Sequence, residues 1–204
     1  MDLLPIRRAL LSLTDKSGLE QLCVTLARGN VAMVSTGGTQ KSIAEAGFPV
    51  TPVQDVTGFP EILGGRVKTL HPRIHAGILA DKDQPSHLQV LDELDITAFD
   101  LICVNLYNFA QALHRNSTLR DLVEEIDIGG PTLLRAAAKN YHSVLVLPSP
   151  EDYASFIQEC RSNDYRISLA FRQAMAVKTF ELVSGYDALI ARGLKTQKLN
   201  NSGR

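Results

Sequence analysis

Within the first 55 residues the hydrophobic pattern changes period four times, and that alternation restricts the fold more than any other feature of the chain. Arg8 to Leu13 is a strand-like run that ends at Thr14-Asp15. Ser17 to Arg28 then places Leu19, Leu22 and Leu26 on one helical face, and Gly29-Asn30 stops it. Val31 to Ser35 reads as a strand, Thr39 to Ala46 as a short helix, and Pro49 to Val53 as a third strand. Strands that alternate with helices join in parallel, because the crossover helix must return the chain to the same edge. The expected class is α/β, a mostly parallel open sheet flanked by helices. Ile74 to Ala80, Asp100 to Tyr107 and Ser143 to Leu147 are further strand candidates. Helices are expected at Ser86 to Leu94, Thr118 to Glu125 and Thr132 to Lys139. The final third, Glu151 to Gly193, is helical by pattern, with breaks near Ser162-Asn163-Asp164 and Ser184-Gly185, and Lys195 to Arg204 forms a polar tail.

Length and charge narrow the function classes. A chain of 204 residues, 45% hydrophobic, can bury one substantial core. Its 21 basic residues balance 22 acidic ones, and no basic block exceeds Arg7-Arg8, which argues against a nucleic-acid surface. Only Ala9-Leu10-Leu11 follows that pair, so a secretory leader is not expected, and no apolar run approaches the roughly 18 residues that span a bilayer. Three widely spaced cysteines, Cys23, Cys103 and Cys160, fit neither a disulfide framework nor a zinc knuckle. A cytoplasmic protein is the expectation.

Irregular sequence from Asp55 to Pro72 is longer than an ordinary connection, and such loops are usually kept for use. It contains Gly64-Gly65 followed by Arg66, Lys68, Thr69 and His71: a planar cationic fork and a mobile ammonium after a flexible corner, suited to a small anion. Ser35-Thr36-Gly37-Gly38-Thr39 lies between a strand and a helix, where free N–H groups at a helix start attract phosphate. Ser12, Thr14 and Lys16 end the preceding strand on the same side. The segment reads equally as a tight turn with Thr39 as the helix cap. It is neither a dinucleotide fingerprint nor, with Val67 before Lys68, a Walker A loop. His71 and His75 do not suggest a metal site, since Pro72 spoils the helical pair and no third ligand is obvious. Asn105 and Tyr107 close another strand. Asp127 precedes Gly129-Gly130, either an anion-binding nest or a plain N-cap with Pro131 in the first turn. A helix from Pro131 to Lys139 is about 13 Å long, so Asp127 and Lys139 share a pocket only if the Gly-Gly bend folds back or Lys139 reaches across.

Gly64-Gly-Arg-Val-Lys-Thr-Leu-His-Pro72, Asn105-Leu-Tyr107, Ile126-Asp-Ile-Gly-Gly-Pro-Thr132 and Arg135-Ala-Ala-Ala-Lys-Asn140 together resemble the IMP cyclohydrolase domain. That domain is the N-terminal, methylglyoxal-synthase-like part of the bifunctional purine-biosynthesis protein, which also carries AICAR transformylase. Ser12-Leu-Thr-Asp-Lys16 and Ser35-Thr-Gly-Gly-Thr39 fit the same pattern. The resemblance implies a cyclohydrolase that closes FAICAR to IMP and water, without cofactor or metal, in a cytoplasmic homodimer. It implies Lys68, Tyr107, Asp127 and Lys139 as catalytic groups, with Asn105 helping Tyr107 to position the formyl group and amides at Ile128 and Gly129 serving the oxyanion. Ser12, Thr14, Lys16, Thr36, Gly37, Gly38, Thr39, Arg66 and Thr69 would bind ribose and phosphate. The implied domain spans residues 1–194, an α/β core of about 8–148 with a helical extension at 151–193. The sequence departs from the family at Asn108, where Pro is usual, and nothing after Gly193 supplies a transformylase, so no formyl transfer from a folate donor is expected. A nucleotide- or phosphate-binding regulatory module of the same fold family is the alternative.

Overall fold

In the computed structural model, which describes residues 1–114 and 118–196, five parallel strands form the core in the order β4-β3-β2-β5-β6. These are β2 (Arg8–Ser12), β3 (Ala32–Ser35), β4 (Thr51–Pro52), β5 (Leu101–Val104) and β6 (Leu145–Leu147). A separate antiparallel pair joins β1 (Leu3–Pro5) to β7 (Arg166–Ser168). The helices are α1 (Leu19–Arg28), α2 (Gly37–Glu45), α3 (Val53–Thr57), α4 (Pro72–Leu79), α5 (Pro85–Glu93), α6 (Phe109–His114), α7 (Leu119–Glu124), α8 (Gly129–Lys139), α9 (Tyr153–Ser162) and α10 (Leu169–Thr196).

Side-chain alternation along the strands builds two cores. Ala9 and Leu11 of β2, Leu101 and Cys103 of β5, and Leu145 and Leu147 of β6 face α1 and α9, where Leu22, Leu26, Phe156 and Ile157 close the layer. Leu10, Ile102, Val104 and Val146 face the opposite side, against Ile74 and Ile78 of α4, Leu133 and Leu134 of α8, and Val183 of α10. Both faces of the central strands are covered, so β2 and β5 read as continuous apolar runs without visible alternation. Register fixes the carboxyl ends: Ser12 pairs with Val104, and Leu11 with both Cys103 and Ser35. The β2, β3 and β5 ends therefore open at one rim.

Several expectations change. Ile74 to Ala80 is not a strand: Pro72–Leu79 is helix α4. Pro72 occupies its first turn, where its missing N–H costs nothing, and the His71 ring accepts from Arg73 N–H at 3.2 Å as the cap. Ile74 and Ile78, four apart, form a buried helical stripe within an apolar run that suits either element. The strand expected at Pro49 to Val53 shrinks to Thr51–Pro52 on the sheet edge, where a proline is tolerated, and Val53 opens α3. Ser184-Gly185 does not break α10, a 28-residue helix whose packing on α8 and β6 outweighs one interior glycine. Arg172 of α10 is fully buried and donates to the carbonyls of Met1, Tyr141, His142 and Ile167, tying the N-terminal segment to the C-terminal helix. Of the polar tail, residues 197–204 lie outside the described residues.

Candidate active site

The rim at the strand ends carries a cavity of about 270 Å3. Fourteen of the sixteen residues expected at the site line it; Ile128 and Lys139 do not. Ligands of open α/β sheets gather at this position because several loops converge on the strand ends.

Its first wall is the start of α2. The helix begins at Gly37, two residues earlier than the pattern suggested, with Thr36 as an extended N-cap that makes no side-chain capping bond and no acid in the first turn. The leading N–H groups thus lack a partner from any capping side chain, at the positive end of the helix. Gly37 adopts φ +44°, a conformation that favours glycine. The Lys68 ammonium would lie 3.9 Å from a Cβ on Gly37, and the Lys16 ammonium 3.9 Å from one on Gly38. Two cations flank an uncapped helix start.

The hydroxyls and amides expected to touch ligand divide by what already holds them. Thr39 is not the cap: its hydroxyl accepts from Leu13 N–H at 2.8 Å and donates to Leu13 carbonyl at 2.9 Å, fastening α2 to the end of β2. The Asn105 side-chain oxygen accepts from Thr14 N–H at 2.7 Å and Asp15 N–H at 3.0 Å, while its NH2 donates to Asp15 carbonyl at 2.7 Å. Asn105 therefore shapes the loop that carries Lys16. Ser12 and Thr36 face each other at 3.2 Å.

The second wall is the segment before α8. Asp127 accepts from Gly130 N–H at 2.8 Å. Burial raises its pKa above the ordinary carboxylate value, and the Gly130 N–H, Lys68 and Gly129 N–H oppose this more weakly. The backbone nest of Gly129-Gly130 is thus filled by the chain's own carboxylate, which takes it away from the oxyanion role. A Cβ on Gly130 would stand 2.3 Å from an Asp127 oxygen and 2.8 Å from Leu106, so any larger residue must push both side chains aside. Ile128 points outward, 60% exposed. Lys139 is exposed in the last turn of α8, at the end of the helix away from Asp127. The bend does not fold back, and the expected convergence of Lys139 with Lys68 and Asp127 is corrected by helix length.

Tyr107 stands beside both, with its pKa raised by partial burial and then by the negative charges of Asp127, Glu125 and Glu61. Beyond it the cavity continues into a cleft of about 730 Å3 that shares Arg66, Tyr107, Asp127 and Gly129. Arg66 crosses this cleft to pair with Glu124. Asn108, in place of the expected proline, has a use: its side chain accepts from Gln111 N–H at 3.1 Å at the start of α6.

Two participants escaped the sequence reading. Glu61 sits 3.8 Å from the Lys68 ammonium, and Gly65, at φ +91°, leaves room for it: a Cβ there would meet the carboxylate at 2.7 Å. Tyr186 of α10 reaches Asp127 from 59 residues away, which no local pattern signals. Among the described residues no group of three His, Cys, Asp or Glu could hold a metal ion, and no helix is long and apolar enough to cross a membrane.

Residues 18–132, over half of the chain, match the family model described as the MGS-like domain. The chain belongs to the MGS-like family. Its C-terminal part, residues 137–203, matches a second model, the AICARFT/IMPCHase bienzyme, so the family boundary falls within α8. The bifunctional purine biosynthesis protein PurH of Acetivibrio thermocellus is 47% identical over 193 residues, 94% of this chain. The MGS-like chain spans 37% of the length of that relative. A solved structure, the crystal structure of ForH, aligns with a TM-score of 0.81 at 33% identity, covering 93% of this chain and 99% of the other.

Proposed function

We propose that this chain is an IMP cyclohydrolase, closing the purine ring of FAICAR to give IMP and water, the last step of de novo purine biosynthesis. The observation that carries the reading is Asp127: a carboxylate whose burial opposes ionisation, beside Lys68 and Tyr107, in the same cavity as the uncapped start of α2. The likeness to PurH and to the bienzyme model supports it. A module that only senses nucleotide has no use for such a carboxylate.

In this reading the phosphate of FAICAR sits at Gly37-Gly38 between Lys16 and Lys68, which leaves the base toward Asp127 and Tyr107. The carboxamide nitrogen forms a bond to the formyl carbon and gives its proton to Asp127. The formyl oxygen takes up negative charge, which Lys68 stabilises, and receives one proton from Tyr107 and the proton held by Asp127. It departs as water while the former formamide nitrogen closes the ring C=N bond and returns its N–H proton to Tyr107. Nucleophile and electrophile share one molecule, so holding a single rotamer removes much of the barrier. Bond changes balance without any redox or group-transfer partner, and the reading assigns no cofactor. We place the enzyme in the cytoplasm as a homodimer, a reading supported by exposed Val177 and Phe180 on α10 and testable by sedimentation.

The test is purified chain mixed with FAICAR in buffer alone, followed by ultraviolet absorbance as the purine forms. Asp127→Asn should lower single-turnover closure by about 10^2- to 10^4-fold, as for loss of a general base. Lys68→Ala should lower it by about 10^2-fold, as for loss of an oxyanion donor. Wild-type rates in both variants would eliminate the site.

A further inference from the structure

Asp127 is fixed at two points, and only one of them is local. Its carboxylate holds Gly130 N–H at the start of α8. Its own backbone N–H donates to the Tyr186 hydroxyl at 2.8 Å, and Tyr186 is 8% exposed on α10. A phenylalanine would fill the same packing position; the hydroxyl adds a polar atom that must find a partner when buried. The partner it finds is the amide of the residue that carries the chemistry.

The same ring also meets the segment that follows Tyr107. Tyr186 packs edge-on against Phe109, with centroids 6.3 Å apart and planes at 73°. Phe109 N–H donates to the Tyr107 carbonyl at 2.9 Å. Gly193 lets α6 settle onto α10, since a Cβ there would stand 2.5 Å from Leu113 and 3.0 Å from Phe109. One side chain thus touches the backbone of one proposed reacting group directly and, through Phe109, is linked to the backbone of another. It lies beyond residue 132, where the match to the MGS-like model ends.

We infer that Tyr186 is a positioning residue, its hydroxyl setting the place of the Asp127 carboxylate and its ring bearing on Tyr107 through Phe109. The inference rests on the cyclohydrolase reading for its kinetic consequence, but the tether itself is measurable without activity. Burial raises the Tyr186 pKa, so the hydroxyl stays neutral across the working range.

The experiment uses the full chain with Tyr186→Phe and Tyr186→Leu, reading amide hydrogen exchange, melting temperature, and kcat and KM on FAICAR. In Tyr186→Phe the Gly130 amide, which reports the carboxylate, should exchange about 10-fold faster while the amides of β2 and β5 keep their protection. The kcat should fall about 10-fold with KM within about twofold, as expected for a small misplacement of a reacting group. Three results overturn the inference: a Gly130 amide at its wild-type rate, a faster Gly130 amide with unchanged kcat, or activity losses that simply follow melting temperature across the two variants. Should the wild-type chain fail to close FAICAR, the cyclohydrolase reading falls, and with it the kinetic half of the inference; Gly130 exchange then decides the tether alone.

Discussion

Two helices of this protein begin with a pair of glycines at the rim of the same cavity, and the two pairs do opposite things. At α2, Gly37-Gly38 leaves the helix start without a capping side chain or an acid, with two ammoniums nearby. At α8, Gly129-Gly130 closes around Asp127, which supplies the anion from within. An open nest selects a ligand charge; a filled nest holds a protein charge still. The cavity needs both, because positioning a substrate phosphate and positioning a reacting carboxylate are separate tasks. The contrast lies in one residue, Asp127, placed just before the second pair.

Gly130→Ala attacks the filled nest and should have the largest effect. The new methyl group would have to displace both the carboxylate and Leu106, which it would otherwise approach to 2.3 and 2.8 Å. We expect kcat on FAICAR to fall about 10^2-fold or more with the melting point lowered, as for overpacking beside a fixed side chain. Gly38→Ala is the matched change in the open nest. There a Cβ meets no protein atom nearer than the Lys16 ammonium at 3.9 Å, an ordinary contact, so kcat should stay within about threefold and any loss from crowding the phosphate should fall on KM. Equal losses in the two variants would erase the distinction.

Asp127→Asn separates chemistry from stability. Burial raises the carboxylate pKa in the folded protein above its unfolded value. An acid shifted this way favours folding while protonated, so that contribution is present below the ordinary carboxylate pKa and lost as pH rises through the raised one. At neutral pH the ionised side chain is therefore a net cost, which Asn avoids while still accepting from Gly130 N–H. The inactive variant should melt above wild type at pH 7, with the difference shrinking toward pH 3. A variant that melts lower at pH 7 would mean that the nest and Lys68 over-compensate burial. In the wild type, closure should fall as acid protonates Asp127.

Legibility in the sequence follows the range of the interactions. The alternation of periods in residues 8–55 reflects local burial, and it gives β2, α1, β3 and α2 to within two residues. Motif chemistry located most of the cavity because its residues cluster at strand ends. Three kinds of feature stayed hidden. Ile74 to Ala80 is apolar enough for either element, and only the His71 cap and the Ile74-Ile78 stripe decide it. Thr39 and Asn105 look like ligand-binding groups by type, yet their polar atoms are taken by Leu13 and by the Thr14-Asp15 loop. The pairing of β1 with β7, and of Asp127 with Tyr186, joins residues far apart in the chain, and no window of the sequence contains both partners.

Lys16→Ala tests the open nest from its charged side. The Lys16 ammonium stands over Gly38 on an exposed loop, so it should act on ground-state and transition-state phosphate alike. Such uniform binding appears in KM: about a tenfold rise, or about 1.4 kcal/mol, with kcat nearly unchanged, and a rise that shrinks as salt screens the pair. A fall in kcat at constant KM would move Lys16 into the chemistry.

Lys139→Ala should do least, and its near-silence is informative. An 11-residue helix rising about 1.5 Å per residue separates Lys139 from the filled nest by about 16 Å, more than its side chain can span. At that site the ammonium complements the negative end of α8, which is worth about 0.3–1 kcal/mol. The variant should therefore lose a degree or two of melting temperature and keep kcat within about twofold. A loss approaching that of Lys68→Ala would require α8 to bend or shift in the working enzyme, bringing its far end to the cavity. The filled nest would then be one state of a moving helix, not a fixed anchor for Asp127.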